Sequence, residues 1–216
     1  MTVRVYAVTP IHVDADELAR RRARYAELTP PGIELHLDDI GPAAPHQLAD
    51  ADELAASERM VDAALREHTD PACDFLLPDC VLDPGVPERA GDGARPRRTG
   101  ILKLTTAHLA ATGHRIGAVT RNAAIADELR RKITAYGFGD AFTEVAVMDL
   151  TLAEIADANT WNKAVAVAVD RLAAGGATAV INGCSAVDVD TALHRHVAVI
   201  DPTETALRLL AAGMPG

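Results

Sequence analysis

A chain of 216 residues is long enough for one large domain or two small ones, and 49% hydrophobic against 3% aromatic residues suits Ala-rich helices on Val- and Ile-rich strands. The formal charge of −10 argues against non-specific nucleic-acid binding, where a basic patch is needed. No apolar run reaches the roughly 18 residues of a membrane span, and three cysteines, an odd number, do not suggest a disulfide framework.

The opening MTVRVYAVTP reads as a strand and lacks the charged-then-apolar layout of an export signal, so a soluble cytoplasmic protein is expected. In chain order the pattern predicts a strand over 3–9, a helix over 14–28, a strand over 33–38, a helix over 50–68 and a strand over 74–79. After residues 83–100 come a helix over 99–113, a strand over 115–120, a helix over 122–137 and a strand over 143–148. A helix over 160–175, a strand over 178–183, a helix over 185–194, a strand over 197–200 and a helix over 203–213 complete the chain. Asp14 stands at a helix start, and Gly113 and Gly137 stand where helices stop. Strand and helix in alternation imply an α/β fold with parallel sheets and crossover helices. Residues 83–100, DPGVPERAGDGARPRRTG, hold three Pro, four Gly and four Arg without apolar periodicity, and read as an active-site lid or a solvated linker.

The hexapeptide RVYAVT at 4–9 returns as RIGAVT at 115–120, 111 residues later. DFLLPDC at 74–80 and TAVINGC at 178–184 are each an apolar strand ending in a cysteine, 104 residues apart. Two similar α/β lobes are therefore expected, residues 1–98 plus 201–216 and residues 99–200. Ligands of parallel α/β sheets bind beyond the carboxyl ends of the strands. Thr9, Cys80, Thr120 and Cys184 would all gather on such edges, and two edges facing each other would enclose a cleft.

Paired strand-end cysteines have a specific chemical use. One thiolate can remove a proton from carbon while the other thiol, still protonated, delivers one to the opposite face. A free thiol titrates near about 8.5, and a helix start or a nest of backbone N–H groups lowers that value. Cys184, followed by Ser185 and the expected helix, fits such a setting, and Cys80 precedes the turn signal Asp83-Pro84-Gly85. A lone strand-end cysteine is ordinarily an inert small hydrophobe; the internal symmetry is what singles out both.

Asp79-Cys80-Val81-Leu82-Asp83-Pro84-Gly85 resembles the Cys-x-x-Asp-Pro-Gly segment of the hydantoin racemase branch of the aspartate/glutamate racemase superfamily. Asn182-Gly183-Cys184-Ser185-Ala186 is similar to that branch's Gly-Cys-Ala/Ser-Gly segment, and Ile200-Asp201-Pro202 resembles its ending. The order of elements agrees over essentially the whole chain. The resemblance implies two pseudo-symmetric Rossmann-like lobes, the active site in the cleft between them, and cofactor-independent racemisation by two cysteines. The departures lie in the pocket lining. Thr9-Pro10-Ile11-His12 stands in place of an Asn-Pro-Asn-Thr-like run, Leu82 in place of a glycine, and Thr120-Arg121 where a Thr pair is common.

The expected function is a racemase or epimerase acting at a carbon next to a carbonyl, with Cys80 and Cys184 as opposed base and acid. Thr9, Pro10, Ile11, His12, Val81, Leu82, Thr120, Arg121, Asn122, Gly183 and Ser185 are the candidate substrate-binding residues. His12 reads as a ligand contact or a surface turn residue, and Asn122 as a ligand contact or a helix cap. A 5-substituted hydantoin or related cyclic amide is the leading substrate class, an amino acid such as aspartate or glutamate the second. A decarboxylase or cis–trans isomerase using the same cysteines, or a ligand-binding descendant without turnover, are the alternatives. No metal or other cofactor is expected: His194 and His196 have no acidic or Cys partner nearby in sequence, and Cys73 with Cys80 fits no zinc spacing. Cys73 reads as structural, and Arg20-Arg21-Arg22 as a solvated helix face among acidic neighbours. The expected partners are a small-molecule substrate and further copies of the chain in a homo-oligomer, with neither nucleic acid nor membrane.

Overall fold

Hydrophobic alternation and capping side chains divide the first part of the chain into β1 (Val3–Val8), α1 (Ala15–Leu28), β2 (Ile33–Asp38), α2 (Ala51–Glu67), β3 (Phe75–Pro78), β4 (Arg97–Arg98) and α3 (Ile101–Ala111). There follow β5 (Ile116–Thr120), α4 (Ala123–Ala135), a 3₁₀ turn at Gly139–Ala141, β6 (Phe142–Val147), α5 (Ala158–Ala174), β7 (Ala179–Asn182), β8 (Ala198–Ile200) and α6 (Pro202–Ala212). Asp14, Asp50, Asn122 and Asp157 each turn a side-chain oxygen onto a backbone N–H of the first turn, which starts α1, α2, α4 and α5. The computed structural model describes residues 2–89, 95–151, 154–155, 157–190 and 197–213. The chain forms two compact units, Met1–Leu104 with Thr203–Gly216, and Thr105–Pro202.

The first unit holds a four-stranded sheet ordered β2–β1–β3–β4, the second a sheet ordered β6–β5–β7–β8, and every pairing is parallel. The repeated hexapeptide is thus β1 and β5, each the second strand of its sheet. In the first sheet Val3, Val5 and Ala7 pack with Leu37 and Leu77 against Tyr25 of α1, Ile101 of α3 and Ala206, Leu207 and Leu210 of α6. The other face, carrying Val8 and Leu76, meets Val61 and Leu65 of α2. Helices on both faces are what parallel strands with crossover connections require. In the second sheet Val119, Ala146, Val180 and Val199 pack on Trp161, Val165, Val169 and Leu172 of α5, and α4 lies against β5 and β6.

Beyond β3 the chain is anchored by charge. Asp79, 1% exposed, accepts from Arg21 Nη1 at 2.8 Å and from the Tyr25 hydroxyl at 2.9 Å. Burial works against the Arg21 charge, but Asp79 and Glu17 outweigh it and hold the guanidinium firmly ionised. Burial, reinforced by the Asp79 charge, raises Tyr25 well above an ordinary phenol.

Three expectations are corrected here. Arg21 is buried rather than on a solvated face, because Asp79 is carried beneath α1 by β3; Arg20 and Arg22 remain partly exposed, paired with Glu17 and Asp38. The segment 83–100 is not wholly a lid or linker. Arg97 and Arg98 form β4 beside β3, Arg95 pairs with Asp74 at 2.6 Å, and Arg98 pairs with Asp62 at 2.6 Å. A two-residue edge strand made of arginines carries no hydrophobic alternation, so nothing in the pattern announces it. Residues 185–190 are a turn followed by irregular chain rather than the start of a helix; positions 191–194, and with them His194 and His196, lie outside the described residues.

The buried pair gives a direct test. Arg21→Met leaves the Asp79 carboxylate buried with one cation fewer, and the expected loss is about 3–5 kcal/mol of stability in urea unfolding. A loss under about 1 kcal/mol would mean that Asp79 is held by Tyr25 and its surroundings alone.

Candidate active site

In each sheet the third strand is extended by one further ladder bond before its cysteine. Asp79 N–H bonds to the Val8 carbonyl at 2.8 Å, and Gly183 N–H to the Val119 carbonyl at 2.9 Å. Cys80 and Cys184 follow immediately, each two residues past the strand and at the carboxyl edge of its own sheet, where parallel α/β folds bind ligands.

The loop after Cys80 is held at many points. Leu82 N–H donates to the Cys80 sulfur at 3.4 Å, and Asp83 N–H bonds to the Cys80 carbonyl at 3.1 Å. Asp83 sits in the left-handed region at φ 51°, which a short Asp side chain tolerates, and its carboxylate caps α3 through the N–H groups of Leu102 and Lys103. A Cβ at Gly100 would run into that carboxylate, which fixes glycine there. Gly85 donates to Glu58, and its carbonyl accepts from Arg98. Asp83-Pro84-Gly85 therefore locks the cysteine loop to α2 and α3. Cys80, Val81 and Leu82 are all buried.

Around the first strand's end a residue that sequence reasoning passed over does the organising. Asp39, just after β2, accepts from Thr9 Oγ1 at 3.1 Å and Val13 N–H at 2.9 Å on one oxygen. Its other oxygen takes Gly41 N–H at 3.0 Å and stands 2.7 Å from His12 Nδ1. Burial opposes ionisation of Asp39, but Val13, His12, Gly41 and Thr9 together outweigh it and hold the carboxyl below the usual carboxylate range. Thr9 is fully buried and spends its hydroxyl proton on Asp39 while accepting Ile40 N–H. Pro10 is buried with its carbonyl on Ser57, whereas Ile11 and His12 are half-buried. The His12 ring meets the edge of His46 at 5.2 Å between centroids. The signal available in sequence was the acidic pair Asp38-Asp39 closing a strand at the ligand edge.

The second unit's edge is built differently. Thr120, also fully buried, turns its hydroxyl onto the Asn122 carbonyl at 3.2 Å, while Asn122 Oδ1 caps α4 through Ile125 N–H at 2.8 Å. Asn122 thus caps α4. Arg121 is buried, with its carbonyl accepting Leu150 N–H. Asn182 replaces the expected helix as the organiser of the cysteine loop: its Nδ2 donates to the Cys184 and Val187 carbonyls at 3.1 and 3.0 Å, and its Oδ1 takes Cys184 N–H at 3.3 Å. A Cβ at Gly183 would collide with the Val119 carbonyl oxygen, so the residue before Cys184 has to be glycine. Cys184 is half-buried and Ser185 buried.

Cys73 precedes β3 and so lies at the opposite end of that strand from Cys80. Burial pushes its thiol up, and its sulfur donates to the Phe75 carbonyl at 3.1 Å. Two hollows of about 550 and 410 Å³ border β2, and neither is lined by Cys80 or His12. Among the described residues no three His, Cys, Asp or Glu side chains are grouped to hold a metal, and no helix is long and apolar enough to cross a membrane.

Two parallel α/β sheets of matching strand order, each followed at its third strand by a cysteine, define an α/β fold of the racemase type. Residues 18–210 match the Asp/Glu/Hydantoin racemase family model, and the chain belongs to that family. Its fold is similar to allantoin racemase from Klebsiella pneumoniae, with a TM-score of 0.78 and 20% identity over 98% of this chain and 87% of that one. It is also similar to allantoin racemase from Pseudomonas fluorescens, with a TM-score of 0.80 and 15% identity over 97% and 90% of the two chains. Unliganded arylmalonate decarboxylase shares the fold at a TM-score of 0.58 and 15% identity, over 99% and 94%. No curated protein sequence matches the chain significantly.

The Asp39 hub carries a pH dependence whose sign follows from its depressed pKa. Stability from its hydrogen bonds is fully present above the unfolded carboxylate value of about 3.9 and is lost as pH falls through the lower folded value. Asp39→Asn is accordingly expected to be less stable than the parent at pH 7, with the gap between them closing below about pH 4 in thermal unfolding. A gap unchanged from pH 7 to pH 3 would show that the charge of Asp39 is immaterial.

Proposed function

We propose that this chain is a cofactor-independent racemase or epimerase in which Cys80 and Cys184 exchange the roles of base and acid. The observation that carries the reading is the equivalent placement of the two thiols, one after the third strand of each sheet. One thiolate takes the proton from the carbon next to a carbonyl, and the electron pair moves to the carbonyl oxygen as an enolate. The other thiol then delivers its proton to the opposite face, and the carbonyl re-forms with the centre inverted. For the other enantiomer the roles reverse. Leu82 N–H, aimed at the Cys80 sulfur, supports negative charge there. Thr9 and Thr120, whose hydroxyls are engaged internally, serve on this reading to hold the loops rather than to donate to substrate. The substrate-facing part is assigned to Ile11, His12 and the backbone around Cys80, Gly183, Cys184 and Ser185, with Arg121 as the charge at the second edge.

A hydantoin-like cyclic amide is the proposed substrate class, supported by the likeness to two allantoin racemases. An α-amino acid is second. A decarboxylase is the alternative reaction, favoured by the likeness to arylmalonate decarboxylase; it would need one proton-donating thiol rather than two. The setting proposed is a cytoplasmic homo-oligomer.

Two outcomes test this. Cys80→Ser and Cys184→Ser are each expected to abolish racemisation, because a hydroxyl is far too weak an acid to share the proton, while one enantiomer still exchanges its α-hydrogen in D₂O. Near-normal racemisation by either folded variant would defeat the two-thiol mechanism. Ile11 and the buried Leu82 also make the Cys80 side apolar, so kcat/KM for a 5-alkyl hydantoin should exceed that for aspartate by about 10–200-fold. A preference for aspartate would instead make a cation such as Arg121 the dominant recognition element.

A further inference from the structure

The hydrogen-bond accounting around Asp39 determines which nitrogen of His12 carries the proton. An ionised carboxylate only accepts. Backbone N–H groups of Val13 and Gly41 only donate, and the Thr9 hydroxyl, facing an oxygen that has no proton to give, donates as well while accepting Ile40 N–H. The remaining partner of Asp39, His12 Nδ1 at 2.7 Å, must therefore carry a hydrogen. In the neutral ring that leaves Nε2 as a bare lone pair, the tautomer being set by the bond the other nitrogen makes. Among the described residues nothing donates to Nε2, and His12 keeps 28% of its side chain exposed. It follows β1 at the same sheet edge from which Cys80 leaves the neighbouring β3.

We infer that Asp39 is a positioning residue that presents His12 Nε2 as a hydrogen-bond acceptor, and that this acceptor receives a ring N–H of the substrate. The inference rests on the hydantoin-like reading above and sharpens it. A hydantoin offers two ring N–H donors, one of them on the nitrogen bonded to the reacting carbon, whereas a carboxylate would set lone pair against lone pair. The second unit has no counterpart among its described residues: Thr120 turns its hydroxyl onto a backbone carbonyl rather than a carboxylate. The acceptor would thus fix which end of an unsymmetrical ring enters the site.

The test uses the full chain labelled with ¹⁵N, two-bond ¹H–¹⁵N correlation spectra of its histidines, and 5-methylhydantoin with its 1-methyl and 3-methyl derivatives. Expected are an Nδ1–H pattern for His12 in the free protein, a shift of its Nε2 on adding 5-methylhydantoin, and loss of that shift with one N-methyl derivative. That derivative should bind about 10–100-fold more weakly. In turnover, Asp39→Asn should raise KM far more than it lowers kcat. His12→Gln, which keeps an acceptor oxygen and leaves Asp39 in place, should retain most of the affinity that His12→Phe loses. An Nε2–H pattern in the free protein, or equal binding of the parent and both N-methyl derivatives, overturns the inference. Racemisation of hydantoins with His12 unresponsive overturns it alone. A responsive His12 with hydantoins bound but never racemised overturns the racemase reading and leaves the inference standing; no binding of any hydantoin overturns both.

Discussion

One backbone bond per sheet sets where each strand-end cysteine leaves its sheet. Parallel register places Val8 beside Pro78 and Val119 beside Asn182. The next N–H on each third strand then closes one more bond, to the Val8 or the Val119 carbonyl. Only after that bond is the chain released from the ladder, and the released residue is cysteine in both cases. A slip of one residue would turn every strand side chain to the other face and carry each sulfur into a helix layer. The buried valines and leucines on both faces are what forbid that slip.

Past that shared point the two edges use different physics. The Cys80 loop is tied by charge-assisted bonds: Asp83 to the start of α3, Arg98 to Asp62, and Asp79 to Arg21 beneath it. The start of the Cys184 loop is tied by a neutral amide, Asn182, reaching forward to two carbonyls and back to one N–H. A carboxylate buried with its cation is costly to desolvate and pays back only when its geometry is fully satisfied, and Asp79 has both Arg21 and Tyr25. Such anchoring suits a loop that has to hold a sulfur in one place. On the proposed chemistry, two chemically equal thiols work within two unequal frames. That is what an unsymmetrical ring substrate asks for: inversion needs like groups on opposite faces, while orientation needs unlike contacts around them.

Asp39 shows how a single acid can carry local structure and recognition together. Its four donors come from β1's end, the residue before the α1 cap, the residues after β2, and the His12 ring. The carboxylate closes the turn by which the chain leaves the sheet, and the same closure leaves one imidazole nitrogen with a defined role. Thr9, a strand-end hydroxyl, gives its proton to Asp39, accepts Ile40 N–H and so is a strut in that turn.

Much of this was legible in the amino-acid order because it depends on local or periodic properties. Alternation in VRVYAV and IGAVT specifies strands, Asp14, Asp50 and Asn122 specify helix starts, and the repeat with its two strand-ending cysteines specifies two similar units with a thiol at the carboxyl edge of each sheet. Contacts between residues far apart in the chain were not legible. Arg21 reads as one of three surface arginines until β3 brings Asp79 beneath it, 58 residues away. Arg97-Arg98 reads as a polar loop until β3 offers an unpaired edge, and Asp39 reads as one more surface acid until β1 and α1 converge on it. The sequence by itself determined the elements, their alternation and the residue types at the strand ends. Only the tertiary structure decided which of those polar groups keep a free hydrogen-bonding face, because that depends on which donors and acceptors folding has already paired.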